Sequence, residues 1–352
     1  MTYVVSGREL PRLEQPVRAE GAPVLVADPN YRLRIPVLGG TMGNVPVRRR
    51  SNVGSSTPDQ KTVTGSPSLA REAGQRGIGF ARLPGTRLEA ERLRRHFAEE
   101  IVLGDAATEA EVRRRVHRPK VWHGSTHVFV LDDPELLLTR DRSGKVIGAH
   151  RWALLDNPLQ RSGLALAGAQ TAAEERPLPP EAGNGILTAY DITRMDLRGT
   201  FMTLAACKGA RGFTRIGRGV MGLRSALVQA GVRTALLTLW PVDDFATAIF
   251  MERFYAHLLD ENAAPDVALR QAQEYLRTVT VGQLQQTWFT EETLALLDEI
   301  ANDAAREDLP QIHYWQAFVE ENRRSRDREE RLYASPRYWG AFVIQGSLQP
   351  LA

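Results

Sequence analysis

Cysteine is nearly absent from this 352-residue chain; Cys207 is the only one. A lone thiol closes no internal disulfide, so a disulfide-stapled fold is excluded and a reducing cytoplasm is the expected compartment. No apolar run approaches the roughly 20 residues that span a bilayer. The opening residues, Met1 to Arg8, lack the basic-then-apolar order of a signal peptide. No membrane association is therefore expected. A phosphate-loop or dinucleotide fingerprint is missing, which ranks a nucleotide-binding α/β module low. Zinc-finger spacing and RNP-type aromatics are missing too. An excess of one charge is also lacking: 45 basic residues face 42 acidic ones, for a net charge of +3. The two signs are mixed along stretches such as Arg87-Leu88-Glu89-Ala90-Glu91-Arg92, the pattern of a solvated helix face. Nucleic-acid binding is not supported for this chain.

What is present is an alternation of short apolar runs and helical stripes. Pro23 to Pro29 reads as a buried strand stopped by Asp28-Pro29. Residues 39–83 lose all periodicity, are rich in Gly, Ser, Thr and Pro, and hold the basic run Arg48-Arg49-Arg50; they are expected to form a flexible insertion. Leu88, Leu93 and Phe97 mark a helix, Ile101 to Leu103 a strand, and Thr108 to Glu111 open a helix with carboxylates in its first turn. A strand ending at His127 follows, then a loop-rich stretch containing a short strand at 163–168 and a short helix at 188–192. The run Phe201 to Ala206 leads to Cys207. A helix at 220–229, a strand at 234–239, helices at 244–259 and 265–277, and a last strand at 341–344 complete the alternation. Residues 279–330 interrupt it with a charged, helix-prone insertion. Strands alternating with helices predict a doubly wound, mostly parallel sheet flanked by helices, whose site lies beyond the carboxyl ends of the strands. The sequence also echoes itself: Tyr314-Trp315-Gln316-Ala317-Phe318-Val319 recurs as Tyr338-Trp339-Gly340-Ala341-Phe342-Val343. No function is assigned to the echo.

That topology puts His127 and Cys207 at the ends of two strands, the two halves of a thiol nucleophile and its base. Taken singly, each is more often an inert core residue. His123 lies four residues before His127 and so on the same face of an extended strand; it is expected to pack or hydrogen-bond behind the pair, with no third ligand to suggest a metal.

Several motifs in register resemble the CHAT domain, a bacterial branch of the caspase-like cysteine peptidases related to separase. They are the histidine block His123-Gly124-Ser125-Thr126-His127, the cysteine block Leu204-Ala205-Ala206-Cys207, and the glycine-led helix from Gly217 to Leu223. The turn Leu239-Trp240-Pro241-Val242-Asp243-Asp244 and the end block Pro336 to Val343 complete the set. The resemblance runs from about residue 22 to 346. It implies a caspase-like peptidase domain over 22–352 behind an N-terminal extension at 1–21, with the insertions at 39–83 and 279–330. It also implies Cys207 as nucleophile and His127 as general base and acid, with the backbone N–H groups of Cys207 and Val128 forming the oxyanion hole. Val128 stands where the family usually has glycine, and Lys208-Gly209 departs from the usual Glu-Thr-Gly. Lys208 next to the thiol would lower its pKa, although a solvated lysine with no role is the simpler account.

Asp243 and Asp244 fall on the turn that serves as the substrate-binding loop in caspase relatives, and Asp28 is a third acidic candidate. A carboxylate there favours lysine or arginine before the cut, unless it merely caps the helix at Phe245. Arg48-Arg49-Arg50 fits self-processing by such an enzyme, though solvated basic residues are commonplace. The expectation is a cytoplasmic cysteine endopeptidase that needs no cofactor or metal and acts on protein substrates. The resemblance implies bacterial stress or antiphage roles, including CRISPR-linked protease activation and gasdermin processing. Many relatives carry helical-repeat or sensor domains; none is visible here, so control falls to a regulatory partner protein, an activating ligand or proteolysis. The alternative is a catalytically inactive caspase-like scaffold that binds protein partners, for which Val128 is the best support.

Overall fold

In the computed structural model the described residues are 17–35, 70, 74, 79–97, 100–131, 137–140, 146–150, 158–204 and 219–351. Side chains that are apolar on both faces of a strand demand cover on both faces, and the strand sequences meet that condition. In β1 (Val24–Pro29), Leu25 and Ala27 point to one core while Val24 and Val26 point to another. The same division holds in β9 (Phe201–Leu204), where Phe201 and Met202 take opposite sides. It holds again in β10 (Thr234–Thr238), where Leu236 opposes Ala235 and Leu237. This period of two places each strand inside a sheet with helices above and below.

The central sheet has six strands. Its order is β11-β10-β9-β3-β1-β2, with β2 at Ile101–Gly104, β3 at Val121–Ser125 and β11 at Phe342–Gly346. All neighbours are parallel except β10 and β11. The chain is thus α/β with a mostly parallel, doubly wound sheet, as the alternation predicts. One face is covered by helices α1 (Pro84–Phe97), α5 (Asp244–Tyr255) and α6 (Pro265–Thr278), and by the pair α7 (Glu291–Asp303) and α8 (Leu309–Arg323). The other face meets α2 (Glu109–Arg115), α3 (Ala189–Thr193) and α4 (Gly219–Ala230). A small antiparallel sheet of β4 (Val128–Val130), β7 (Ser162–Ala165) and β8 (Ile186–Thr188) lies on that side. Strands β5 (Leu137–Arg140) and β6 (Val146–His150) pair as an antiparallel ribbon.

Local signals place these elements where the sequence marks them. Thr108 caps α2 by accepting the Glu111 N–H, and Asp243 caps α5 by accepting the Ala246 N–H at 3.0 Å. Pro84 begins α1, where a missing N–H costs nothing. The next residue must be glycine for a packing reason. A Cβ at Gly85 would meet backbone atoms of Asp244 at 2.8 Å, so α1 and α5 approach closely at their N-termini. Both helices begin beside the carboxyl ends of β1 and β10, which sets the floor of the site. No helix among the described residues is long and apolar enough to cross a membrane.

Candidate active site

β3 carries alternating demands along its length. Trp122 enters the core on the α2 side, while His123 and Ser125 face α1 and α5. His123 Nε2 lies 2.9 Å from Glu89 Oε1, and its Nδ1 is 3.0 Å from the Tyr255 hydroxyl. That hydroxyl also meets Thr203 Oγ1 at 2.7 Å, and the Ser125 hydroxyl donates to Glu89 Oε2. Burial raises the Tyr255 pKa, so its hydroxyl stays protonated. His123 therefore sits behind the strand end, held by the Tyr255 hydrogen bond and the nearby Glu89 carboxylate, as its place in the sequence leads one to expect.

His127 comes two residues past the end of β3, in the link to β4. It is fully buried. Its ring lies 4.9 Å from that of Tyr31 and 5.8 Å from that of Phe80, centroid to centroid. Its backbone is anchored on both sides: the N–H reaches the Tyr31 hydroxyl at 3.3 Å, and the carbonyl accepts the Ala165 N–H at 2.9 Å. Nε2 is 2.7 Å from the carbonyl oxygen of Ala81, so the proton resides on Nε2. Nδ1 is buried and has no partner among the described residues. Burial among aromatic rings pushes the imidazole pKa down to about 4, against a smaller upward pull from the Ala81 carbonyl. At neutral pH the ring is neutral, with the Nδ1 lone pair uncommitted.

Val128 opens β4 and pairs with Leu164. The Ala165 N–H bonds to the His127 carbonyl and the Leu131 N–H to the Arg161 carbonyl. The alternation of an antiparallel ladder then turns the Val128 N–H away from β7. Extended backbone suits a β-branched residue, so valine is unstrained there.

The acidic candidates part company. Asp243 Oδ1 caps α5. Asp244 is buried, and its Oδ2 accepts the Gly85 N–H at 3.1 Å. Burial, followed by the neighbouring Asp243 charge, raises the Asp244 pKa to about 7. Both carboxylates thus serve helix N-termini. Asp28 is different. The register slips between Ala27 and Pro29, and Asp28 adopts φ 44°, so its side chain leaves the sheet. There it meets Arg82: Nε reaches Oδ1 at 2.9 Å and Nη2 reaches Oδ2 at 2.7 Å. Burial raises the Asp28 pKa, opposed by the Arg82 guanidinium.

Cys207, Lys208 and Gly209 lie outside the described residues, as do Arg48, Arg49 and Arg50 and most of the 39–83 insertion. The register between β3 and β9 is described, and pairs Gly124 with Leu204. His127 and Cys207 each follow that pair by three residues in the sequence. Sequence reasoning missed the groups from 79–83 that reach the site, Phe80, the Ala81 carbonyl and Arg82. An aperiodic stretch gives no period from which to place them, and a backbone carbonyl leaves no trace in residue type. A signal for the end of the insertion was nonetheless there, in the Pro84-Gly85 helix start.

A family model described as CHAT domain matches residues 1–347. Among curated proteins, the chain is similar to Tetratricopeptide repeat protein 28 of Mus musculus, with 24% identity over 212 residues. That match covers 58% of this chain and 8% of the mouse protein, so the chain spans less than a tenth of the length of this relative.

Proposed function

The chain belongs to the CHAT domain family, and on that premise we propose that it is a cysteine endopeptidase working through a Cys207–His127 dyad. The observation that carries the reading is the state of His127. One nitrogen is fixed on the Ala81 carbonyl and the other is buried with no partner among the described residues, just past the end of the strand beside the one that leads to Cys207. The Ala81 carbonyl selects the tautomer in which Nδ1 accepts a proton.

The chemistry follows from that tautomer. Nδ1 takes the thiol proton of Cys207, and the thiolate attacks the scissile carbonyl. The developing oxyanion is met by the backbone N–H groups of Val128 and Cys207. The imidazolium then protonates the leaving amine as the C–N bond breaks, and water hydrolyses the thioester to free the thiol. A low resting pKa keeps the imidazole in its base form, and the thiolate partner offsets the charge it gains.

The finer reading is a cut after a basic residue, with Asp28 as the recognising carboxylate; Asp243 and Asp244 support it less, because both are engaged as caps. Further steps of the proposal are a cytoplasmic location and deployment against protein substrates in bacterial stress or antiphage defence. In that setting a partner protein or ligand controls activity. The test is covalent labelling of the folded chain with a peptidyl-arginine chloromethyl ketone, read by mass spectrometry. Labelling at Cys207 that disappears in His127→Ala is the expected result. A folded chain that stays unlabelled and cuts no peptide overturns the reading in favour of an inactive scaffold.

A further inference from the structure

We propose that Asp28, the Ile300 carbonyl and Asp303 together form a pocket selecting a guanidinium side chain, and that Arg82 is its built-in competitor. The proposal rests on the proteolytic reading above and names the substrate group and its rival for the same site.

Every nitrogen of the Arg82 fork is engaged. Besides the two bonds to Asp28, Nη1 reaches the Ile300 carbonyl at 3.1 Å, and Nη2 lies 3.6 Å from Asp303 Oδ2. The paired, planar contact with Asp28 is the arrangement a guanidinium makes and an ammonium cannot. Ile300 and Asp303 belong to α7, so the helical segment beyond α6 supplies one wall, and β1 supplies the other. Asp28 contributes nothing to the surface, whereas the Asp303 side chain is 85% exposed, so the pocket opens to solvent on the α7 side.

Position argues for a substrate role. Ala81 places its carbonyl on His127, and the very next residue sends its guanidinium into the pocket. A substrate arginine held beside His127 has the same reach. Asp28 is turned there by a bulge and a left-handed backbone, a conformation that Asp adopts more readily than most residues with a Cβ. A bulge at a strand end re-aims the side chain beside it. The backbone at Arg82 is fastened from the α8 side, since its N–H donates to Asp308 Oδ1 at 3.1 Å. The Ala81 carbonyl therefore stays on His127 while the Arg82 side chain alone swings away.

The experiment uses p-aminobenzamidine fluorescence and fluorogenic peptides on the full chain, comparing the parent with Arg82→Ala. A pocket filled nine-tenths of the time by its own side chain loses about tenfold in apparent affinity. Arg82→Ala is expected to bind p-aminobenzamidine about tenfold more tightly and to raise kcat/KM on an arginyl peptide by a similar factor. Adding Asp28→Asn abolishes both gains. Should Arg82→Ala not fold, Arg82→Gln keeps the volume and one donor and carries the same expectation. Unchanged binding in a folded variant overturns the proposal. So does an aspartyl peptide whose cleavage is lost on removing Arg82, which makes Arg82 the recognising group. Tighter p-aminobenzamidine binding with no peptide cut upholds the pocket and overturns the proteolytic reading instead.

Discussion

His123 stands within β3, with one ring nitrogen bonded to the Tyr255 hydroxyl and the Glu89 carboxylate 2.9 Å from the other; His127 stands just past its end, with one nitrogen on the Ala81 carbonyl and no polar group among the described residues at the other. The two side chains are chemically identical and equally buried. What separates them is the supply of partners. Inside the sheet, α1 and α5 press polar groups against the strand, and a buried polar group without a partner is costly. Beyond the strand end, the ring's aromatic neighbours among the described residues are Tyr31 and Phe80, which bring no donor to Nδ1, and the Ala81 carbonyl takes only Nε2. The difference teaches where to look for chemistry in this fold: a histidine left half-satisfied just past the end of a central strand is available for proton transfer.

Activity separates the two histidines most widely. His127→Ala should lower kcat/KM on a peptide substrate by about 10²–10⁴, the usual worth of a positioned acid–base. In His123→Phe the loss should come through stability, with the remaining folded fraction cutting at near the parental rate. Active-site titration against thermal melting distinguishes the two, and equal losses per folded molecule would break the contrast.

The buried pair behind the strand should show its own signature. Glu89→Ala leaves His123 and Ser125 facing an empty site, and breaking a buried pair in this way costs about 3–5 kcal/mol. Urea unfolding followed by circular dichroism measures it. A cost below about 1 kcal/mol, the range of exposed pairs, would show that the network is not closed from solvent.

Acidity offers a finer test, because two buried groups pull in opposite directions. His127 has its pKa lowered to about 4, so between about pH 4 and 6.5 the unfolded chain binds a proton that the folded chain does not. Its contribution to stability is present above that window and is lost as pH falls through it. Asp244 has its pKa raised to about 7, so the folded chain holds a proton that the unfolded chain releases above about pH 4. Its contribution is present at low pH and is lost as pH rises towards 7. Each slope is at most about 1.4 kcal/mol per pH unit. Relative to the parent, Asp244→Asn should therefore gain stability as pH rises from 4 to 7, and His127→Gln should gain it as pH falls from 6.5 to 4. Parallel curves for parent and variants would show that neither group is buried as described.

The smallest effect belongs to a glycine. Gly85→Ala pushes a methyl group into the backbone of Asp244, and overpacking of this kind costs about 1–3 kcal/mol. A melting temperature unchanged from the parent would mean that α1 and α5 part without strain.

Much of the fold was legible. The apolar runs at 23–29, 101–103, 201–206, 234–239 and 341–344 all lead to strands of one sheet, because a strand covered on both faces must be apolar throughout. The helix starts at Thr108 and Asp243 were legible because capping depends on residue type within a few positions. His127 could be placed near a strand end for the same local reason, although the strand stops at Ser125 and the residue itself lies in the link to β4. The surroundings of the site were not legible. Arg82 lies 54 positions from Asp28, and Glu89 lies 34 positions from His123, so no local pattern joins either pair.

The echoed segments make the boundary plain. Tyr314-Trp315-Gln316-Ala317-Phe318-Val319 and Tyr338-Trp339-Gly340-Ala341-Phe342-Val343 share five of six residue types. The first lies within helix α8; the second leaves a short helical turn at Pro336–Trp339 and enters strand β11. Sequence alone determined that both segments would bury aromatic and aliphatic side chains, and that the chain would build a parallel sheet between two layers of helix. Only the tertiary structure decided which segment became helix and which became strand, and likewise which histidine lay against a carboxylate and what Asp28 would hold. Local preference is worth a few tenths of a kcal/mol per residue, whereas cross-strand pairing and burial against distant elements are worth more. The stronger influence comes from partners that the local sequence does not contain.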